Sequence, residues 1–266
     1  MTATIERRLA ALEASIAPPV ARRSPVEVAH ALGMTLDDWQ RELALDDWTQ
    51  AAVLCSRQAG KSTVAALLAT TVSVYTPNST ILIVSPSERQ SGLLFRNVLK
   101  TYRALGHPVP SEVENRLSLE LANGSSVHAL PGSESTVRGF SSVSLLIEDE
   151  ASRVDDDLHA SVRPMLAVSR GRLLLLSTPA GKRGHFWRAW SDGGEAWRRT
   201  KITAFDVPRI DRAWLEAERA AVGDFWFRQE FLCEFLDDDS QLYPTDLIDA
   251  ALSSDVAPFF PIGAAA

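Results

Sequence analysis

The sequence predicts an α/β fold, a mostly parallel sheet between helices, followed by a small helical lid or linker subdomain. Two observations predict it. Short apolar runs of strand length recur through the middle of the chain and alternate with segments of helical periodicity. From about Phe205 onward the apolar runs stop and only helical patterns remain. Runs that are apolar throughout suit strands covered on both faces, as in a parallel sheet, and strand–helix alternation generates such a sheet.

In chain order, residues 1–34 read as a helical, peripheral extension, with an amphipathic stretch ended by Pro18 and Pro19. Thr35-Leu-Asp-Asp38 has the form of a capping box opening a helix that carries Trp39 and Gln40. Residues 51–55 form a short apolar strand. A loop follows, then a helix from Ser62 to about Tyr75 that is apolar on nearly every side and so belongs inside the layers. Residues 81–84 make a second buried strand. The next helix carries Leu93, Leu94, Val98 and Leu99. Leu117, Leu119 and Leu121 alternate with Ser118 and Glu120, and Asn123-Gly124 turns the chain into 127–130, which is a hairpin pattern. Residues 143–147 and 173–176 are two further buried strands. Residues 211–217 and 225–231 read as two helices with no buried strand between them. The expected organisation is an extension (1–34), a core (35–204) and a helical subdomain (205–266).

Bulk properties bound the function. The chain has 266 residues, a net charge of −7 and a pI near 5.3. Its acidity argues against a generally basic nucleic-acid binder but leaves room for a local basic stripe. No apolar run reaches the roughly 18 residues of a membrane helix, and the N-terminus has no signal-peptide core, so the expected location is the cytoplasm. The two cysteines, Cys55 and Cys233, have no metal-binding spacing and read as buried thiols.

Two motifs carry chemistry. Cys55-Ser56-Arg57-Gln58-Ala59-Gly60-Lys61-Ser62 lies between an apolar strand and an apolar helix and ends as a phosphate-binding loop ends, with Cys55 in place of the usual first glycine. Gly60 lets successive backbone N–H groups face a phosphate, and the following helix presents its positive end to the same anion. Lys61 would reach the β- and γ-phosphates, and the Ser62 hydroxyl would ligate Mg²⁺. The second motif is Glu148-Asp149-Glu150, at the end of a buried strand. A strand-end carboxylate sits where open α/β sheets bind ligands. Asp149 is the expected Mg²⁺ partner, and Glu150 is the expected general base toward water. Glu148 is the spare and should point to the opposite side of the strand. An Asp-Glu pair fits a hydrolase better than a small-molecule kinase, since something must activate water. Arg96, Lys100 and Arg103 share one helix face. That stripe could grip backbone phosphates without reading bases, or simply solubilise the helix.

With both motifs placed, residues 35–250 resemble the large subunit of tailed-phage DNA-packaging terminases. The resemblance rests on an ordered set of short segments. Leu36-Asp-Asp-Trp39-Gln40 resembles the adenine-recognising segment. Ser56 to Ser62, with Thr63 next, resembles the deviant P-loop that carries Arg and Gln. Val84-Ser-Pro86-Ser-Glu-Arg-Gln90 resembles the segment after the second strand, and Val137-Arg138-Gly139-Phe140 the one before the acidic strand. Ser177-Thr178-Pro179 with Gly184-His-Phe186 resembles the coupling motif, and Gln229-Glu230 to Phe235 the end of the ATPase region.

The resemblance implies a RecA-like P-loop core of the additional-strand, catalytic-glutamate type that hydrolyses ATP with Mg²⁺ to move double-stranded DNA into a capsid. It implies that Gln40 hydrogen-bonds adenine and that Arg57 lies near the γ-phosphate. Arg138 becomes a candidate arginine finger, acting across a subunit boundary, or else a structural arginine. Ser177 and Thr178 would sense the γ-phosphate. Implied partners are a portal-bearing procapsid, a small subunit and further copies of the chain in a ring, with a monomer in isolation. The implied location is the bacterial host cytoplasm. The family's nuclease domain would begin where this chain stops. The adjacent Asp237, Asp238 and Asp239 read as a solvated linker, so no nuclease activity is expected. The rival readings are a helicase-type translocase, a nucleotide or small-molecule kinase and, without catalysis, a regulatory nucleotide switch.

Overall fold

A computed structural model of the protein describes residues 21–130 and 139–237, together with Leu247 and Ala251. Its centre is an eight-stranded sheet of order β3-β4-β5-β2-β6-β7-β1-β8. The strands are β1 (Gln50–Cys55), β2 (Thr80–Val84), β3 (Ser111–Glu114), β4 (Ser118–Leu121), β5 (Ser126–Leu130), β6 (Val143–Asp149), β7 (Arg172–Ser177) and β8 (Trp197–Ile202). Along the sheet order pairing is parallel from β5 to β8 and, among the described residues, antiparallel where β4 meets β3 and β5.

Side-chain alternation sorts the strands' residues to two faces. Val53, Cys55, Ile81, Ile83, Leu145, Ile147, Leu174 and Leu176 join one core. That core is covered by α1 (Pro25–Ala31), α2 (Asp38–Leu45), α3 (Lys61–Tyr75) and α4 (Glu88–Ala104). Leu54, Leu82, Val84, Leu146, Leu173 and Leu175 join the other, covered by α5 (Asp156–Val162) and α6 (Gly184–Ser191). Helices α7 (Arg212–Val222) and α8 (Asp224–Glu230) pack on each other through Leu215, Phe227 and Phe231.

The apolar strands and the 117–130 hairpin stand where the sequence places them. Three features differ. β3 and β8 carry no apolar run, because each is an edge strand with one side unpaired and few fully buried positions. The helix that opens at Asp38 is capped two residues later than the sequence suggests, at Asp37 instead of Thr35. Asp37 is the N-cap, and its backbone N–H donates to Gln40 Oε1 at 2.9 Å. Finally, α1 is less peripheral than expected: Val28 and Ala29 are wholly buried in the α2–α4 core. Residues 1–20 lie outside the described chain. No described helix is long and apolar enough to cross a membrane.

Candidate active site

The phosphate loop runs from the end of β1 into α3. Gln58 and Gly60 both take left-handed backbone angles (φ 60° and 94°), which turn the loop tightly before Lys61 opens the helix. Glycine is the residue that adopts such angles without strain. Cys55 shows why the missing first glycine is tolerated. It is the last residue of β1, extended and paired with Ile202, and it is fully buried. The turn begins after it, so no glycine is needed there. Both cysteines are buried free thiols, and burial pushes both thiols up from their ordinary range.

The acidic motif ends β6. Strand β7 lies between β6 and β1, so the two motifs occupy strand ends on the same edge of the sheet with one additional strand separating them. Lys61 bridges them: its Nζ lies 3.1 Å from Glu150 Oε1. Glu150 itself is left-handed (φ 55°), a strained state for a non-glycine residue. Asp149 shares the face of Leu145 and Ile147, toward α3. Its Oδ1 is buried and has no hydrogen-bond partner among the described residues. Burial, then repulsion from Glu150, raises its pKa to about 6, against the pull of Lys61. An orphaned carboxylate oxygen beside a lysine and a hydroxyl-bearing loop suits a divalent cation held by Asp149 and Ser62. Both line one cleft of about 550 Å³, together with Glu150, Gln90, Leu93, Leu94, Arg96, Asn97 and Lys100.

A second cavity, about 470 Å³, adjoins the same loop. It is lined by Thr35, Gln40, Arg209 and residues 58–63. Gln40 is almost fully buried and donates from Nε2 to the Gly60 carbonyl at 3.2 Å. Arg209 makes a double ion pair with Asp37, at 2.6 and 2.8 Å, and reaches the Ala59 carbonyl. Trp39 packs into the core instead of lining this cavity, because neighbours on a helix point about 100° apart. Ser56 is buried, with its N–H on the Ile202 carbonyl.

Arg57 turns away from both cavities toward α8. Its Nε donates to Glu230 Oε2 at 2.7 Å, and its backbone N–H to the Glu230 carbonyl at 3.4 Å. The same carboxylate accepts from Arg153 at 3.2 Å. Arg153 also reaches Glu150 Oε2 at 3.3 Å and Thr178 Oγ1 at 2.9 Å. Ser177, at the end of β7, contacts Ser152 Oγ at 2.7 Å. One continuous polar chain therefore links Lys61, Glu150, Arg153, Glu230 and Arg57, with Thr178 attached to it.

Arg96 and Lys100 make no ion pair among the described residues, whereas Arg103 is paired with Glu114. The expected stripe is thus divided. Arg138 lies outside the described residues, as do Asp238 and Asp239. Asp237 is ion-paired with Lys182 at 3.2 Å and does not stand as part of a free linker. Arg209 is not legible in the sequence because it lies 150 positions from the loop carbonyl it reaches, and Arg153, three positions after Glu150, is not because its partners Thr178 and Glu230 lie 25 and 77 positions away and no short pattern joins them.

Residues 53–250 match the family described as terminase large subunit, T4likevirus-type, N-terminal. The chain is 27% identical over 198 residues to the terminase large subunit of Escherichia phage T5, covering 71% of this chain and 44% of that protein. It therefore spans less than half the length of this curated relative. The large terminase ATPase domain of Thermus phage P74-26 has a similar fold, with a TM-score of 0.72 at 22% identity, over 81% of this chain and all of that one. The large terminase of a thermophilic bacteriophage in complex with ADP gives 0.61 at 13% identity, over 78% of this chain and 52% of that one. Because the family match spans most of the sequence and includes both strand-end motifs, this chain belongs to the T4likevirus-type terminase large subunit family, in its N-terminal part.

Proposed function

We propose that the chain is the ATPase motor of a phage terminase and hydrolyses ATP to drive double-stranded DNA into a capsid. The observation that carries this reading is the convergence of Lys61, Ser62, Asp149 and Glu150 at the ends of β1 and β6, two parallel strands one strand apart in one sheet. The loop N–H groups and Lys61 hold the phosphates. Gln40 and Arg209 lie where the rest of the nucleotide would extend, with Gln40 reading adenine. Ser62 and Asp149 would hold Mg²⁺, which when bound neutralises charge on the phosphate oxygens. Glu150 orients the attacking water and accepts its proton. For this Lys61 must exchange Glu150 for phosphate, which frees the carboxylate only when nucleotide is present.

Loss of the γ-phosphate then propagates through Arg153 and Thr178 to the β7 end. Arg57 joins this chain through Glu230, and residues 205–266 form the lid or linker that carries it. Arg138 supplies charge in trans, stabilising the transferring phosphoryl group. That role calls for a ring of subunits on the portal of a procapsid, in the host cytoplasm, with a small subunit delivering DNA. Arg96 and Lys100 are assigned the sequence-independent grip on DNA phosphates.

The test is the ATPase rate with and without DNA and portal-bearing procapsids. Stimulation by both is expected. Glu150→Ala is expected to retain nucleotide binding and lose turnover. A rate indifferent to DNA and procapsids, or full turnover in Glu150→Ala, overturns the reading.

A further inference from the structure

Glu148 has no part in the chemistry above, yet its carboxylate is completely buried. Strand alternation sends it away from Asp149, to the α5–α6 side. There Oε1 lies 2.8 Å from His159 Nδ1, and Oε2 lies 2.9 Å from His185 Nε2. His185 is the second residue of α6. Its other ring nitrogen, Nδ1, lies 3.0 Å from Asp156 Oδ1, and its backbone N–H donates to the same oxygen at 2.7 Å. Arg188 holds the second Asp156 oxygen at 2.8 Å.

Ionised carboxylates only accept hydrogen bonds. With both carboxylates ionised, both nitrogens of His185 donate and the ring is positive between two negative groups, which hold its pKa up against burial. Glu148 and Asp156 are each held below the usual carboxylate range. Burial acts to raise both, but His159 and His185 outweigh it at Glu148, and Arg188 and His185 outweigh it at Asp156.

The same residues could suggest a metal site, since one carboxylate and two imidazoles meet in the interior. Ring geometry opposes it. The two imidazoles stack at 4.0 Å between centroids and 10° between planes. Ligands of one ion radiate from it and splay their rings apart, as in a tetrahedral site. Here each ring nitrogen faces its own carboxylate oxygen.

We propose that Glu148 and His185 are positioning residues that couple the nucleotide-bearing end of β6 to helix α6. Resting on the ATPase reading, the proposal makes β6 a two-sided lever. Asp149 follows the nucleotide on one face, and Glu148 moves α6 on the other. The segment joining Thr178 to α6 is thereby held at both ends, by Arg153 at Thr178 and by Glu148 at His185. A buried ion pair suits such a link because it resists being left half-made.

The test compares hydrogen–deuterium exchange over residues 184–191 of the full chain with ADP and with ADP plus beryllium fluoride. The unsubstituted chain is expected to show a clear difference in α6 protection between the two states. Glu148→Gln and His185→Asn are expected to reduce it at least threefold, with ADP affinity within twofold of the parent. His185→Gln, whose amide nitrogen reaches the position of Nε2 and so still donates to Glu148, is expected to restore most of it. A merely structural role does not separate the two amides in this way. Should the buried variants fail to fold, Asp156→Asn, at a partly exposed carboxylate, takes their place and is expected to halve the difference. No difference in the parent, an undiminished one in the variants that fold, or a tightly bound stoichiometric metal ion in the purified chain overturns the proposal. DNA stimulation, measured on the same samples, reports on the motor reading separately, because the exchange comparison needs only nucleotide binding.

Discussion

Glu230→Ala is the perturbation that most directly tests whether α8 belongs to the nucleotide site. The Glu230 side chain is 8% exposed and accepts from two guanidinium groups, Arg57 (65% exposed) and Arg153 (35% exposed). A charge-assisted hydrogen bond contributes about 1.5–3 kcal/mol when well buried. Both arginines reach water and can rehydrate once the carboxylate is gone, so each contribution is discounted by about half. The sum is about 2 kcal/mol. For a chain of this size 1 kcal/mol moves Tm by roughly 2–4 °C, which gives a fall of about 4–8 °C. Arg57→Ala acts differently, because it removes one of two partners from a buried carboxylate. The double variant should therefore lose less than the sum of the two single ones.

The functional effect of Glu230→Ala has the opposite sign. Glu230 holds Arg57 away from both cavities and competes with a phosphate for it. Its removal should tighten binding of a non-hydrolysable triphosphate by up to about tenfold, equivalent to about 1.4 kcal/mol, and leave ADP affinity nearly unchanged. Thermal unfolding and titration with a fluorescent nucleotide read the two quantities. A variant as stable as the parent, or one whose triphosphate affinity falls along with its stability, refutes the reasoning.

Three further outcomes are expected. Alanine at both Arg96 and Lys100 should lower the salt dependence of DNA binding by about 2 in log–log slope, at about 0.9 per phosphate contact; Arg103→Ala, already paired with Glu114, should change the slope little. Gly60→Ala should cost about 1–2 kcal/mol for the left-handed backbone alone, and its Cβ would also lie 2.5 Å from Gln40 Nε2. Adding Gln40→Ala relieves that contact but not the backbone, so unfolding should still begin at a lower temperature than in the parent. Asp156 has a folded pKa lowered to about 2, because Arg188 and His185 outweigh its burial. Its stabilising effect is present above its unfolded pKa and is lost as pH falls through the folded one. The Tm gap between the parent and Asp156→Asn should thus be full at pH 7 and close between about pH 4 and 2; a gap independent of pH contradicts the assignment.

Much of the site was legible as short strings. Gly60-Lys61-Ser62 and Asp149-Glu150 are local patterns, because a phosphate loop and a strand end each need their residues consecutive. The four buried strands were legible for a related reason: a strand covered on both faces must be apolar at every position, as residues 51–55 and 173–176 are. β8 satisfies no such requirement. Its edge position leaves Arg198, Arg199 and Lys201 only partly buried or exposed, so no strand is read there from the sequence.

The sequence by itself determined the chemistry of the loop, the acidic pair and the layered sheet, since these depend on neighbours along the chain. Only the tertiary structure decided which charges meet. Arg57 faces Glu230 across 173 positions, Arg209 reaches the loop across 150, and His185 closes on Glu148 across 37. A carboxylate selects its cation by distance and burial, not by spacing in sequence, and distance exists only once β6, β7 and β1 have stacked side by side.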